Sequence, residues 1–99
     1  MKDKTFIASG EKGRAKPLGA AIAGKLESGF DHVRVEGVGA GAVSNIAKAV
    51  AIANLLLAQD GAGFCFCVPS FGKKRNNYGK EYTIMKFDVY RSRKHEKKE

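Results

Sequence analysis

The chain has 99 residues, enough for a single hydrophobic core and too few for two. Lys and Arg number 18 against 10 Asp and Glu, giving a formal net charge of +8 and an isoelectric point near 9.7. Hydrophobic residues make up 43% of a chain whose mean hydropathy is -0.30, which describes a globular protein with a polyanionic partner as its default expectation. The N-terminal stretch MKDKTFIASG carries no long apolar segment of the secretory type. Apolar runs elsewhere are broken by Lys, Asn and Gly, short of the roughly 20 residues of a membrane span. The expected location is cytoplasmic, with nucleoid or RNA association, and no membrane partner is expected.

Residues 4–9 read as a first strand, followed by a Gly- and charge-rich loop over 10–16. Pro17 suits the first turn of a helix, where its missing N–H costs nothing. Leu18, Ile22 and Leu26 recur at i, i+4 and i+8, with Gly19, Ala20, Ala21, Ala23 and Gly24 between them. That spacing gives one bulky apolar stripe and a narrow face suited to close approach, and Gly29 marks the stop. Residues 32–38 (HVRVEGV) alternate as a second strand with Val33 and Val35 facing the core. A glycine turn over 37–41 opens a second helix marked by Val43, Ile46, Val50 and Leu57, ending near Asp60 and Gly61. Residues 64–71 are apolar enough for a central strand with Pro69 near its end. Residues 72–80 (GKKRNNYGK) read as a long, flexible hairpin tip, and 81–91 as the fourth strand. The predicted fold is therefore α+β, a two-layer sandwich of order β-α-β-α-β-β with a four-stranded mixed sheet and two helices on one face. The domain is expected over 4–91, with a basic, flexible, solvated tail (SRKHEKKE) over 92–99.

Catalytic chemistry finds little footing. Cys65 and Cys67 stand at i and i+2, on one face of a strand, which is unfavourable for a mutual disulfide. A single Cys-x-Cys without a second ligand pair is a poor metal site, so both read as small buried hydrophobes. Gly37-x-Gly39-x-x-Ala42 has the form of a dinucleotide fingerprint, with Asp60 roughly 20 residues on. Asp60, however, precedes the third strand instead of capping the strand after the turn, and the chain is too short for a second half-fold. A close-packed strand-to-helix corner is the better reading of those glycines. His32 at a strand start and His95 in the tail read as solvated, and Asn45 as facing solvent or a partner. Ser9, Ser44 and Ser70 have no evident triad partner, the carboxylates are scattered singly, and most Phe residues read as core. The expectation is a non-enzymatic protein with no catalytic residues, metal, cofactor or small-molecule substrate.

The positive charge falls in three clusters. Lys12, Arg14 and Lys16 stand just ahead of the first helix, where cations and helix N–H groups can converge on one phosphate. The hairpin supplies Lys73, Lys74, Arg75 and Lys80, interleaved with Asn76, Asn77 and Tyr78. Such an arm can hold phosphates with its cations while Asn or Tyr touches sugar or base. The tail supplies Arg91, Arg93, Lys94, Lys97 and Lys98, diluted by Glu96 and Glu99.

Residues 42–53 with the preceding GVGAG, the AAIAG of the first helix and CVPSF at 67–71 together resemble the stage V sporulation protein S family. That family is similar in fold to the archaeal chromatin protein Alba, and the resemblance covers roughly residues 4–91. It implies an Alba-like domain, a homodimer, and binding of DNA or RNA. Alba-type proteins open the first helix with a Lys-Pro step whose lysine contacts phosphate, and Lys16-Pro17 matches that step. Their extended hairpin, which reaches the minor groove, corresponds to residues 72–80. Gly39 and Gly41 stand where Alba-type proteins tend to carry arginines, which limits contacts from that turn to backbone N–H. The hairpin and tail are more basic than is usual in the sporulation family, so charge has moved from the body to the arms. A sporulation role does not carry over from these residues. The rival expectation is a scaffold or assembly protein that self-associates or docks on an acidic protein surface or polymer lattice.

Overall fold

Alternation along β2 (His32–Gly37) decides which side of the sheet is covered. Its residues run half-buried, buried, half-buried, placing Val33 and Val35 under the helices and His32, Arg34 and Glu36 on the opposite side. The computed structural model describes residues 3–92. The remaining elements are β1 (Asp3–Ile7), α1 (Ala15–Glu27), α2 (Gly39–Gln59), β3 (Phe64–Arg75) and β4 (Glu81–Ser92). The strands form one sheet in the order β1-β2-β4-β3, with β1 parallel to β2 and the other pairs antiparallel. This is the predicted α+β sandwich, a mixed four-stranded sheet with two helices. Ile22 and Leu26 from α1, Ile46 and Leu57 from α2, and Val33, Val35 and Val89 from the sheet are fully buried in its core.

Both helices end as their local sequence dictates. After α1, Gly29 takes a φ of 108°, and the Phe30 N–H reaches back to the Lys25 carbonyl at 3.1 Å. After α2, Gly61 takes a φ of 66°, and the Ala62 N–H reaches the Leu57 carbonyl at 2.8 Å. Each is a left-handed stop that satisfies a carbonyl the helix leaves free. The start of α2 differs from the prediction. Val38 is its extended N-cap and the helix begins at Gly39, so Gly39 and Gly41 belong to its first turn and not to a preceding loop. By length and a mean hydropathy of 1.5 alone, α2 could cross a membrane; in this fold one side of it packs on α1 and the sheet.

The predicted central strand is an edge strand. β4 lies between β2 and β3, and β3 has a neighbour on one side only. Asn54 of α2 covers part of the free side: its Oδ1 accepts from the Cys65 N–H at 2.7 Å and its Nδ2 donates to the Cys65 carbonyl at 3.1 Å. The backbone groups of Cys65 therefore point away from β4. Pro69, four residues on in an unbroken register, points the same way, so its missing N–H removes no ladder bond. The predicted core role of most Phe residues fails for the same reason, since Phe64, Phe66 and Phe71 all stand on this edge and are exposed.

The helices meet at Gly19. A Cβ there would lie 2.8 Å from the Ala49 carbonyl oxygen and 2.7 Å from Ile52 Cγ2. Gly24, exposed on the same helix, has open space at the Cβ position. Gly19→Ala is expected to destabilise the protein by about 1–3 kcal/mol through overpacking. Gly24→Ala is expected to stabilise it by about 0.5–1 kcal/mol through helix propensity. Chemical denaturation of the two variants side by side checks both.

Candidate nucleic-acid interface

Strand direction gathers the basic elements at one end of the sandwich. β1 and β2 run parallel, so the chain leaves both at the same end to enter α1 and α2. β4 is antiparallel to β2 and β3 to β4, so the β3–β4 hairpin turns at that end too. Lys12 and Arg14 lie exposed in the loop after β1. Arg14 takes the N-cap position of α1, and Lys16 stands inside the first turn, one step further into the helix than predicted. That turn holds no acidic residue, leaving the positive end of the helix dipole unopposed.

The loop is held from below. Asn45, expected to face solvent or a partner, is buried, and its Nδ2 donates to the carbonyls of Ser9 at 2.7 Å and Glu11 at 2.8 Å. The turn before α2 packs against the same loop: a Cβ on Gly41 would sit 3.1 Å from the Gly10 carbonyl oxygen. A Cβ on Gly37 would sit 3.0 Å from both Ala42 Cβ and Ile46 Cδ1. These glycines serve close packing, as the strand-to-helix corner reading holds. Between α1 and α2 runs an open groove of about 500 Å³ lined by Gly13, Lys16, Asn45, Lys48 and Ile52, among others. Lys48 was missed in the sequence reading. The signal was present, for it is the one charged residue in α2.

The hairpin is an arm with a structured shaft. β2 stops pairing with β4 at Gly37 opposite Met85, while β3 and β4 stay paired to Arg75 opposite Glu81. Residues 72–75 and 81–84 thus form a two-stranded ribbon, and the predicted tip over 72–80 shrinks to 76–80. Lys73, Lys74 and Arg75 stand on the ribbon, not on a loop. Lys73 and Arg75 lie loosely near Glu81, at 4.0 and 3.8 Å. Lys74 turns to the other side and meets Glu36 of β2 at 2.7 Å, tying the shaft to the body. That contact raises the Lys74 ammonium above the ordinary lysine value. At the tip, Asn76 Oδ1 accepts from the backbone N–H groups of Tyr78 and Lys80, each at 2.9 Å. Asn76 therefore shapes the turn, while Asn77 and Lys80 are exposed and Tyr78 is 93% exposed.

The opposite end of the sheet holds a different cluster. Arg91, which closes the predicted fourth strand although its charge was counted with the tail, lies in β4 and donates to the carbonyls of Ala62 at 2.8 Å and Leu26 at 3.2 Å. Arg93, Lys94, His95, Lys97 and Lys98 lie outside the described residues. His32 is not solvated as expected; its side chain is 17% exposed, with Nε2 2.6 Å from Asp88 and Nδ1 3.3 Å from Asp3. Arg34 reaches the same Asp88 oxygen at 2.8 Å. Burial alone would raise the Asp88 pKa, but Arg34 and His32 outweigh it and hold the carboxyl below its ordinary range. Cys65 goes the other way, pushed up to about 11 by burial first and the neighbouring Cys67 second, so its thiol stays protonated. Both cysteines are free, and among the described residues no group of three or more His, Cys, Asp and Glu could hold a metal.

The fold is thus a small mixed sheet backed by two helices, with cations, two helix starts and a projecting ribbon at one end. The sequence matches the family model described as Stage V sporulation protein S (SpoVS) over residues 6–92, and the chain belongs to that family. Among solved structures it is similar to Alba from Thermoplasma volcanium, at 12% identity, covering 88% of this chain and 99% of that one with a TM-score of 0.47. No curated protein matched.

Asn45→Ala is expected to lose about 1–3 kcal/mol of stability by orphaning the Ser9 and Glu11 carbonyls. Faster amide hydrogen exchange confined to the loop after β1 would register its release. A carboxyl depressed in the folded state stabilises fully above the unfolded value near 3.9, and that stabilisation is lost as pH falls through the folded value. Asp88→Asn is therefore expected to be destabilising at pH 7, with the gap to the wild type closing below about pH 4. Unfolding curves taken across pH 2–7 measure that gap.

Proposed function

We propose that this protein is a non-enzymatic, cytoplasmic nucleic-acid-binding protein that acts as a homodimer and holds DNA or RNA chiefly by its phosphates. The observation that carries this reading is the convergence of Lys12, Arg14, Lys16 and Lys48 with the basic ribbon at one end of the sandwich. There, exposed cations, the unopposed start of α1 and the tip residues Asn77, Tyr78 and Lys80 lie at the same end. Contacts of this kind are salt-dependent and carry little base information, so weak sequence specificity follows. A cofactor, a membrane or a small-molecule substrate has no part in this reading. For the dimer, the support is the set of exposed apolar residues along the edge strand, Phe64, Phe66, Val68 and Phe71, the last 75% exposed.

That apolar surface also favours a second reading, a scaffold that self-associates or grips an acidic protein surface or lattice. Against assembly by sheet extension stand Asn54 on Cys65 and Pro69 on the same edge.

Fluorescence anisotropy with matched duplex DNA, duplex RNA and single strands across a salt series tests the proposal. The variant carrying Lys16→Ala, Lys73→Ala, Lys74→Ala and Arg75→Ala is expected to bind more weakly, with a log–log salt slope shallower by about three. An unchanged slope overturns the assignment of these residues. No binding at low salt, together with assemblies larger than a dimer by light scattering, turns the reading to the scaffold.

A further inference from the structure

We infer that the free edge of β1 is a docking site for an extended acidic peptide of another protein, which adds to the sheet as a fifth strand. β1 pairs only with β2, so one side of it faces no strand. The Ala8 N–H reaches the Glu36 carbonyl at 2.8 Å, and alternation turns the backbone groups of Lys4 and Phe6 to β2 as well. Thr5 and Ile7 therefore direct their N–H and C=O groups outward, where no strand receives them. The opposite edge differs, since Asn54 occupies Cys65 there and Pro69 offers no N–H.

The register also fixes what lies beside that edge. Lys4 and Phe6 pair with Val33 and Val35, so their side chains lie on the helix side. Thr5 and Ile7 pair with Arg34 and Glu36 on the helix-free side. On the helix side an open groove of about 220 Å³ runs between β1 and α1, lined by Phe6, Ala8, Pro17, Leu18 and Ala21 among others. A sealed apolar cavity of about 150 Å³ holds a benzene ring, so this groove has room for one large apolar side chain. Its charge is of one sign. Arg14 lines the end nearest the start of α1, and the Lys4 ammonium lies 5.5 Å from the centre of the Phe6 ring. Among the described residues lining the groove there is no carboxylate, and Asp3 is turned away to His32, at 3.3 Å.

These features select the occupant. A strand edge presents donors and acceptors in alternation, a pattern that a peptide backbone matches, whereas phosphates only accept. Alternate side chains of an added strand fall on the helix side, an apolar one among Phe6, Leu18 and Ala21. Acidic ones two residues to either side of it meet Arg14 and Lys4. The residues between them cover Ile7, which is 70% exposed in the free chain. A second copy of this chain is a poorer match, because pairing edge to edge about a two-fold axis sets two cationic rims against each other. Docking here shares only Arg14 with the basic end and requires no nucleic acid.

The probe is the peptide TEVLVET, amidated at its C-terminus and carrying fluorescein at its N-terminus, in which Leu stands between two Glu at alternate positions. Its anisotropy is expected to rise to saturation, and replacing both Glu by Lys is expected to raise the half-saturating concentration at least about tenfold. Amide hydrogen exchange of the unsubstituted protein reads the contact directly. The Thr5 and Ile7 N–H groups are expected to exchange at least about tenfold more slowly with peptide bound, while the Phe6 N–H is protected with or without it. Thr5→Pro removes an outward donor without touching a bond to β2, and is expected to weaken the peptide about fivefold or more with little change in the unfolding midpoint. Ala21→Glu, which puts a carboxylate in the groove, is expected to weaken it by a similar factor. Absence of saturable binding, equal affinity for the Lys peptide, or Thr5 and Ile7 amides left unprotected at saturation overturns the proposal. So does protection of those amides before any peptide is added, which would mean that a second copy of the chain already covers the edge.

Discussion

Gly19 lies where a side chain would collide with the Ala49 carbonyl and Ile52, and the rest of the architecture depends on that approach. Only because the two helix backbones come this close do both fit over the same side of the sheet. With α1 and α2 sharing one face, Ile22, Leu26, Ile46 and Leu57 close over Val33, Val35 and Val89 as one core. The other face is left without a helix and can hold His32, Arg34, Asp88 and Tyr90. The same arrangement sets both helix starts beside each other, because each follows a strand of the parallel pair.

Charge follows this division. On the uncovered face the ionic groups are largely matched within the molecule, Arg34 and His32 with Asp88 and Lys74 with Glu36. Around the helix starts, Lys12, Arg14, Lys16 and Lys48 have no ion pair among the described residues. Among the described residues, the excess of positive charge is thus concentrated where strand direction also sends the ribbon. Lys74 belongs to both worlds: it sits on a basic strand but faces inward to Glu36, and so acts as the fastening of the arm.

What could be read from sequence was whatever neighbouring residues decide among themselves. Pro17, Gly29 and Gly61 marked helix limits because those limits are backbone events within a few residues. The alternation of residues 32–37 marked β2 because one face of it is covered throughout. The order of elements and the sheet class followed. Whatever depended on distant partners was hidden. Residues 64–71 are apolar enough for a central strand, but the number of neighbours a strand has is decided by β4, which arrives later in the chain. Lys73, Lys74 and Arg75 look like a loop until pairing with residues 81–83 makes them a strand. Asn45 read as facing solvent or a partner, and His32 as solvated, because their closest bonds are to residues 34 to 36 and 56 positions away. Phe66 and Tyr90 become a pair only through the register of β3 and β4.

The amide of Asn54 on Cys65 has a kinetic meaning as well as a structural one. That protection at Cys65 comes from a helix, and Pro69 within the strand guards the same edge further along. Any opening that lifts α2 from the sheet removes the cover from Cys65 and strips the core of Ile46 and Leu57 in one motion. The partly unfolded form so created has a bare strand edge next to newly wetted apolar surface, the combination through which chains associate. Association through this end of the edge strand therefore depends on how long α2 stays docked.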